Sequence, residues 1–144
     1  MLLGQYESKI SEKYQVGLPK KFRDVLGEKL IVTKGFENCL LIVSEENWKT
    51  LLEGTEGKPF TNKSTREMQR FLLGNASDVD LDAKGRFVIP EYLRQFAHLT
   101  NDIVFVGIQR FVEVWDKKQW EEHQKELGKN IESIAEKLSA ENEQ

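Results

Sequence analysis

The chain repeats itself. Ser11-Glu-Lys-Tyr-Gln-Val-Gly-Leu-Pro19 aligns with Asp82-Ala-Lys-Gly-Arg-Phe-Val-Ile-Pro90 at a constant offset of 71 residues. The register continues past the prolines, so that Phe22, Val25 and Leu26 fall on Leu93, Phe96 and Ala97. A repeat of this period limits a chain of 144 residues to two copies of one small unit, and units so small are better packed around a shared core than left independent. The expected architecture is α+β, two tandem pseudo-symmetric β-rich halves packed as one unit.

Local patterning fills in each half. The apolar residues after Pro19 and Pro90 recur at i, i+3 and i+4, the stripe of a short amphipathic helix. Proline suits the first helical position because its missing N–H would have no intrahelical partner there, and Gly27 suits the end of the first helix. A β-hairpin follows in each copy: Leu30–Thr33 with Cys39–Val43, then Ile103–Val106 with Phe111–Trp115. Their β-branched and aromatic residues fit a packed pleated surface, with Lys34-Gly-Phe-Glu-Asn38 and Gly107-Ile-Gln-Arg110 as turns. Ser44 and Asp116 are N-cap candidates for a second helix in each half, Asp116-x-x-Gln119 reads as a capping box, and Trp48 and Trp120 occupy equivalent places as core packing.

Between the copies, Pro59 and Ser64-x-x-Glu67 open a connector helix through Met68, Phe71 and Leu72 that stops at Gly74. Beyond Gly128, Ile131, Ile134, Ala135 and Leu138 share one face of a short amphipathic tail that frays at Asn142-Glu-Gln144. The resulting limits are 5–47 and 76–119 for the two halves, 48–75 for the connecting helices and 120–144 for the C-terminal helical tail.

Composition removes several classes. No apolar run is long enough to span a bilayer, and the N-terminus lacks the basic-then-apolar pattern of a secretory signal. One cysteine, Cys39, cannot make an internal disulfide, which agrees with a reducing cytoplasm. The formal charge of −3 is uneven: from Glu121 onward seven Glu against three Lys give −4, leaving +1 for residues 1–120. A nucleic-acid reading must therefore rest on local arrangement rather than bulk charge.

Two in-register copies around Asp82-Ala-Lys-Gly-Arg86, the Met-Leu-Leu-Gly start, Gly35-Phe-Glu-Asn-Cys39, Val112-Glu-Val-Trp115 and the two Trp-bearing helices together resemble the MraZ family. The resemblance spans nearly the whole chain. It implies tandem SpoVT-AbrB-like DNA-binding domains and a cytoplasmic, nucleoid-associated transcriptional regulator of the division and cell-wall gene cluster. Such a regulator binds double-stranded DNA at direct repeats upstream of its own operon and forms a ring-shaped homo-oligomer. Carried over by position, the DNA-contacting residues are Lys84 and Arg86 in the second half and Lys13 and Gln15 in the first, with Asp82, Gly85, Pro19 and Pro90 shaping the motifs. The first half departs from the family pattern, since Ser11-Glu-Lys-Tyr-Gln15 lacks the Asp-x-x-x-Arg arginine. Arginine forks onto guanine O6 and N7, whereas glutamine suits adenine and is uncharged. Either the base preference has changed or the first half mainly positions the backbone.

Other readings are weaker. An enzyme would need a nucleophile with its base, paired carboxylates in a cleft or a glycine-rich phosphate loop, and no such spacing occurs; no catalytic residue, cofactor or small-molecule substrate is expected. Asp78, Asp80 and Asp82 alternate as on a solvated strand face rather than as a metal site. His98 and His123 stand apart without a partner motif, and Cys39 reads as a small buried side chain. Arg66 and Arg70 share the polar face of the connector, reaching either phosphate or solvent. A ring-forming assembly module without specific DNA binding is the alternative, because hairpin edges could pair between subunits.

Overall fold

The computed structural model describes residues Met1–Asn142. In the first half, β1 (Leu2–Lys9) and β2 (Gln15–Gly17) precede α1 (Lys20–Leu26), the hairpin β3 (Lys29–Lys34) and β4 (Leu40–Ser44), and a single turn α2 (Trp48–Leu51). After α3 (Lys63–Leu72) the order recurs as β5 (Ser77–Asp80), β6 (Arg86–Val88), α4 (Glu91–Phe96), β7 (Asp102–Gln109), β8 (Phe111–Asp116) and α5 (Lys117–Asn142). The fold is thus α+β and strand-rich, with two tandem copies of one element order.

The copies are interleaved rather than side by side. Six antiparallel strands form one sheet in the order β1-β7-β8-β4-β3-β5, so each half's first strand pairs with the hairpin of the other half. Lys9 pairs with Asp102 at one edge and Asp80 with Lys29 at the other, the same end-pairing with the charges exchanged. The short strands β2 and β6 form a separate ribbon, in which Gln15 pairs with Val88 and Gly17 with Arg86. The offset of 71 swaps these two pairs, which puts the pseudo-two-fold axis between Val16 and Phe87.

Period-2 alternation explains how ribbon and sheet join. Val16 and Phe87 point inward, while Gln15, Gly17, Arg86 and Val88 form the ribbon's outer face. Below them Phe22 of α1 and Leu93 of α4 pack on Val32, Ile42, Phe105 and Val114 of the sheet in one continuous core. Each such fully buried side chain is worth about 2–3 kcal/mol. No helix among the described residues is long and apolar enough to cross a membrane.

Several local expectations are corrected. Pro19 and Pro90 sit one residue before their helices, with extended ψ of 138° and 144°, and their carbonyls accept the first helical N–H groups. Asn62, not Ser64, caps α3: its side chain accepts from the Thr65 N–H at 3.2 Å. Ser44 Oγ accepts from the Asn47 N–H, closing the turn before α2 instead of capping it. Asp116 does precede α5, and accepts from Thr100 as well as from the Gln119 N–H. Trp48 is only half-buried, whereas Trp120 is buried and donates to Gln5.

Gly107 is not a turn residue. β7 continues to Gln109, whose φ of +74° makes the reversal, and Gly107 faces Gly4 in β1. A Cβ there would lie 2.6 Å from the Leu3 backbone nitrogen, so glycine permits the close approach of β1. Finally, α5 passes through Gly128 without a break, so the tail is the second half's own helix extended. Of the expected frayed end, Glu143 and Gln144 lie outside the described residues.

Candidate nucleic-acid interface

The ribbon's outer face is framed by two loops, one entering each strand. In the second, Asp82 organises the turn: its backbone N–H donates to the Arg86 carbonyl at 2.9 Å, and its carbonyl accepts from the Gly85 N–H at 2.9 Å. One carboxylate oxygen accepts from the N–H groups of Lys84 and Arg86, both at 2.9 Å, and the other accepts from Arg86 Nε at 3.0 Å. These contacts, led by the Arg86 backbone N–H, hold the exposed Asp82 carboxyl below the usual carboxylate range. Gly85 supplies the required φ of +75°.

The first loop has the same backbone with different chemistry. The Ser11 N–H donates to the Gln15 carbonyl and the Tyr14 N–H to the Ser11 carbonyl, both at 2.9 Å, matching Asp82–Arg86 and Gly85–Asp82. Ser11 Oγ accepts one N–H, from Gln15 at 3.1 Å, where Asp82 accepts two. Tyr14 takes the glycine's place at φ +62°, a conformation that costs a non-glycine residue about 1 kcal/mol.

The residues singled out in the sequence therefore meet in one place. Asp82, Lys84, Gly85 and Arg86 form one loop, Lys13 lies in the other and Gln15 begins the strand it enters, and Pro19 and Pro90 close the segments that follow. Lys13 and Lys84 are exposed and, among the described residues, neither has an ion pair. Arg86 is half-buried and uses its Nε edge on Asp82, which orients the rest of the guanidinium at the ribbon surface.

The family model that matches this chain describes antitoxin-like MraZ proteins, and it matches twice, at residues 1–71 and 72–141. The chain belongs to the MraZ family. A protein from Caldanaerobacter subterraneus subsp. tengcongensis called transcriptional regulator MraZ is 43% identical over 138 residues, 96% of each chain. Its namesakes from Acetivibrio thermocellus and Clostridium tetani are 42% and 38% identical, each over 96% of this chain and 97% of their own.

Within this MraZ chain the structure adds two residues that sequence reasoning missed. Arg23 of α1 lies against Gly85, where a Cβ would come within 2.3 Å of its Nη1, and its buried Nε has no hydrogen-bond partner. Arg94 of α4 covers Tyr14, its guanidinium carbon 3.9 Å from the ring centroid, and donates to the Ile89 carbonyl. Each motif loop is thus backed by an arginine from the other half. Both arginines are related by the same offset of 71, the one signal in the sequence that could have found them.

The remaining candidates lie in other roles. Arg66 Nη1 donates to the Phe60 and Thr61 carbonyls at 3.0 and 2.9 Å, and Arg70 pairs with Glu67, so both serve the connector locally. Asp78 and Asp80 are exposed on β5 while Asp82 is in the turn, and no metal-holding group of carboxylates, histidines or cysteine is gathered among the described residues. His123 packs with its ring centroid 4.7 Å from that of Trp115, and His98 lies in the turn after α4 at φ +52°. Cys39 is buried, and burial beside Glu113 pushes its thiol well above the ordinary range.

Proposed function

We propose that this chain is a non-enzymatic, sequence-specific transcriptional regulator that binds double-stranded DNA through the outer face of the β2–β6 ribbon. The carrying observation is the convergence of Lys84, Arg86, Lys13 and Gln15 on two loops framing one exposed ribbon, each loop backed by an arginine. A two-stranded ribbon fits the major groove, where Arg86 would fork onto guanine and Gln15 would pair with adenine. Lys13, Lys84 and Arg23 would meet phosphate. The targets on this reading are direct repeats upstream of the protein's own operon, in the division and cell-wall gene cluster, bound in the cytoplasm at the nucleoid. The relatives' shared name, transcriptional regulator, supports it.

The protein is read as a ring-shaped homo-oligomer. Residues 1–120 carry only +1, so one protomer offers little electrostatic attraction, whereas linked contacts raise avidity by about 10²–10⁴. Protomers related by rotation about a ring axis present the same loops in one sense, which suits direct repeats rather than palindromes.

Fluorescence anisotropy on the native upstream DNA tests the residue assignment. Arg86→Ala is expected to cost about 1–3 kcal/mol per site, a bidentate base contact, and Gln15→Ala less. Equal losses would remove the base-reading role from Arg86.

A further inference from the structure

The two motif loops share one backbone but hold their arginines differently. The offset of 71 makes Tyr14 equivalent to Gly85 and Arg94 equivalent to Arg23. At Gly85 the Arg23 side chain lies where another side chain would begin: a Cβ there would come within 2.3 Å of Nη1 and 2.5 Å of Cδ and Cζ. Arg23 makes no ion pair among the described residues, and its Nε is buried without a hydrogen-bond partner. The first loop has nearly the same φ, +62° at Tyr14 against +75° at Gly85, so the tyrosine's own Cβ takes that space. Arg94 lies instead against the ring, 3.9 Å from its centroid, and donates to the Ile89 carbonyl of its own half.

Backbone geometry alone favours glycine at such a φ. What the tyrosine adds is therefore its side chain, and the contact that side chain makes is with Arg94. Stacked on a ring and bonded to a carbonyl, Arg94 would have to break both contacts to reach a phosphate. Arg23 has no such contacts to break. The atoms that a Cβ at Gly85 would meet belong to the far end of a flexible side chain, so the arginine can move when this one loop position changes.

We propose, resting on the ribbon as the DNA-binding face, that Tyr14 is a positioning residue that holds Arg94 off the DNA. The ribbon then grips the phosphate backbone at the Gly85 end with Arg23 and has no matching arginine at the Tyr14 end. The loops add to the imbalance, since Glu12 stands beside Lys13 where Ala83 stands beside Lys84, and Gln15 stands where the second loop has Arg86. Cations gather at one end of a ribbon whose backbone is nearly two-fold symmetric. Phosphate contacts fix orientation on the duplex, so this imbalance gives each protomer one preferred sense.

Salt dependence counts phosphate contacts. In the full-length protein, Tyr14→Gly gives Arg94 the space that Arg23 has, and is expected to steepen the fall of log K with log salt by about 0.9 units on any duplex. Adding Arg94→Gln removes that increment, and Tyr14→Phe, which keeps the ring, does not produce it. Arg23→Gln flattens the slope of the unmodified chain by about 0.9 units. The arginine positions are read without DNA, in proton–nitrogen correlation spectra of the Nε–Hε groups. The ring current of Tyr14 is expected to displace the Arg94 signal upfield, and Tyr14→Gly to abolish the displacement while the Arg23 signal stays in place. An upfield displacement that survives loss of the ring would overturn the stacking. A slope that Tyr14→Gly leaves unchanged, or that Arg94→Gln alone flattens, would overturn the role of Tyr14 while leaving the DNA-binding reading intact. An unmodified chain that binds no duplex even at low salt would overturn both.

Discussion

Asp82 holds the second motif loop with one carboxylate, and the sign of its shift sets the pH range over which the loop keeps its shape. Because the folded-state value is depressed, the stabilisation is complete above the ordinary carboxylate value of about 3.9 and is lost as pH falls through the lower folded value. The amide resonances of Lys84 and Arg86 are therefore expected to hold steady from neutral pH to about pH 4 and to move only below it. A midpoint above the ordinary value would contradict the hydrogen-bond assignment. Lys84 makes no ion pair among the described residues, which fits a phosphate contact. Lys84→Ala is expected to weaken binding alike on all DNA sequences and to flatten the salt dependence by about one unit. Altered base preference with an unchanged slope would contradict that role. The repeat made the motif residues legible, because Asp82, Lys84 and Arg86 line up with Ser11, Lys13 and Gln15. Arg23 and Arg94 were not, because an arginine on a short helix reads locally as a solvated face. What gives them a role is a contact with the other half's loop.

At the scale of elements, hairpins were readable from their β-branched runs, and α1 and α4 from their apolar spacing. β1 and β5 were missed as elements of the shared sheet. The alternation of Asp78 and Asp80 reads as a strand face, but the place of β5 in the sheet, like the strand character of the largely exposed β1, comes from pairing across the molecule with β3 and β7. Gly107 shows the same limit, since its role depends on β1 passing close by, and a glycine near a hairpin reads locally as a turn. Gly107→Val is expected to destabilise the protein by about 1–3 kcal/mol, at the upper end because backbone rather than a flexible side chain blocks the new Cβ. A urea transition shows this as a lowered midpoint with little change in slope. An unchanged midpoint would mean that β1 is free to move away from β7.

For the whole molecule, interleaving explains how a weakly charged chain can hold the proposed binding surface in one defined shape. Each half contributes one strand and one loop to the ribbon and backs the other's loop with an arginine, so the motif loops keep a fixed spacing about the pseudo-two-fold axis. A single ribbon still brings few cations, and tight binding on this account requires several protomers on one DNA. The direct test is an anisotropy titration of the full-length protein against duplexes carrying one, two or three of the upstream repeats at native spacing, each at several salt concentrations. Affinity is expected to climb steeply with repeat number, to fall steeply with salt, and to drop when half a helical turn is inserted between repeats. Equal affinity for one repeat, three repeats and unrelated DNA would contradict the account.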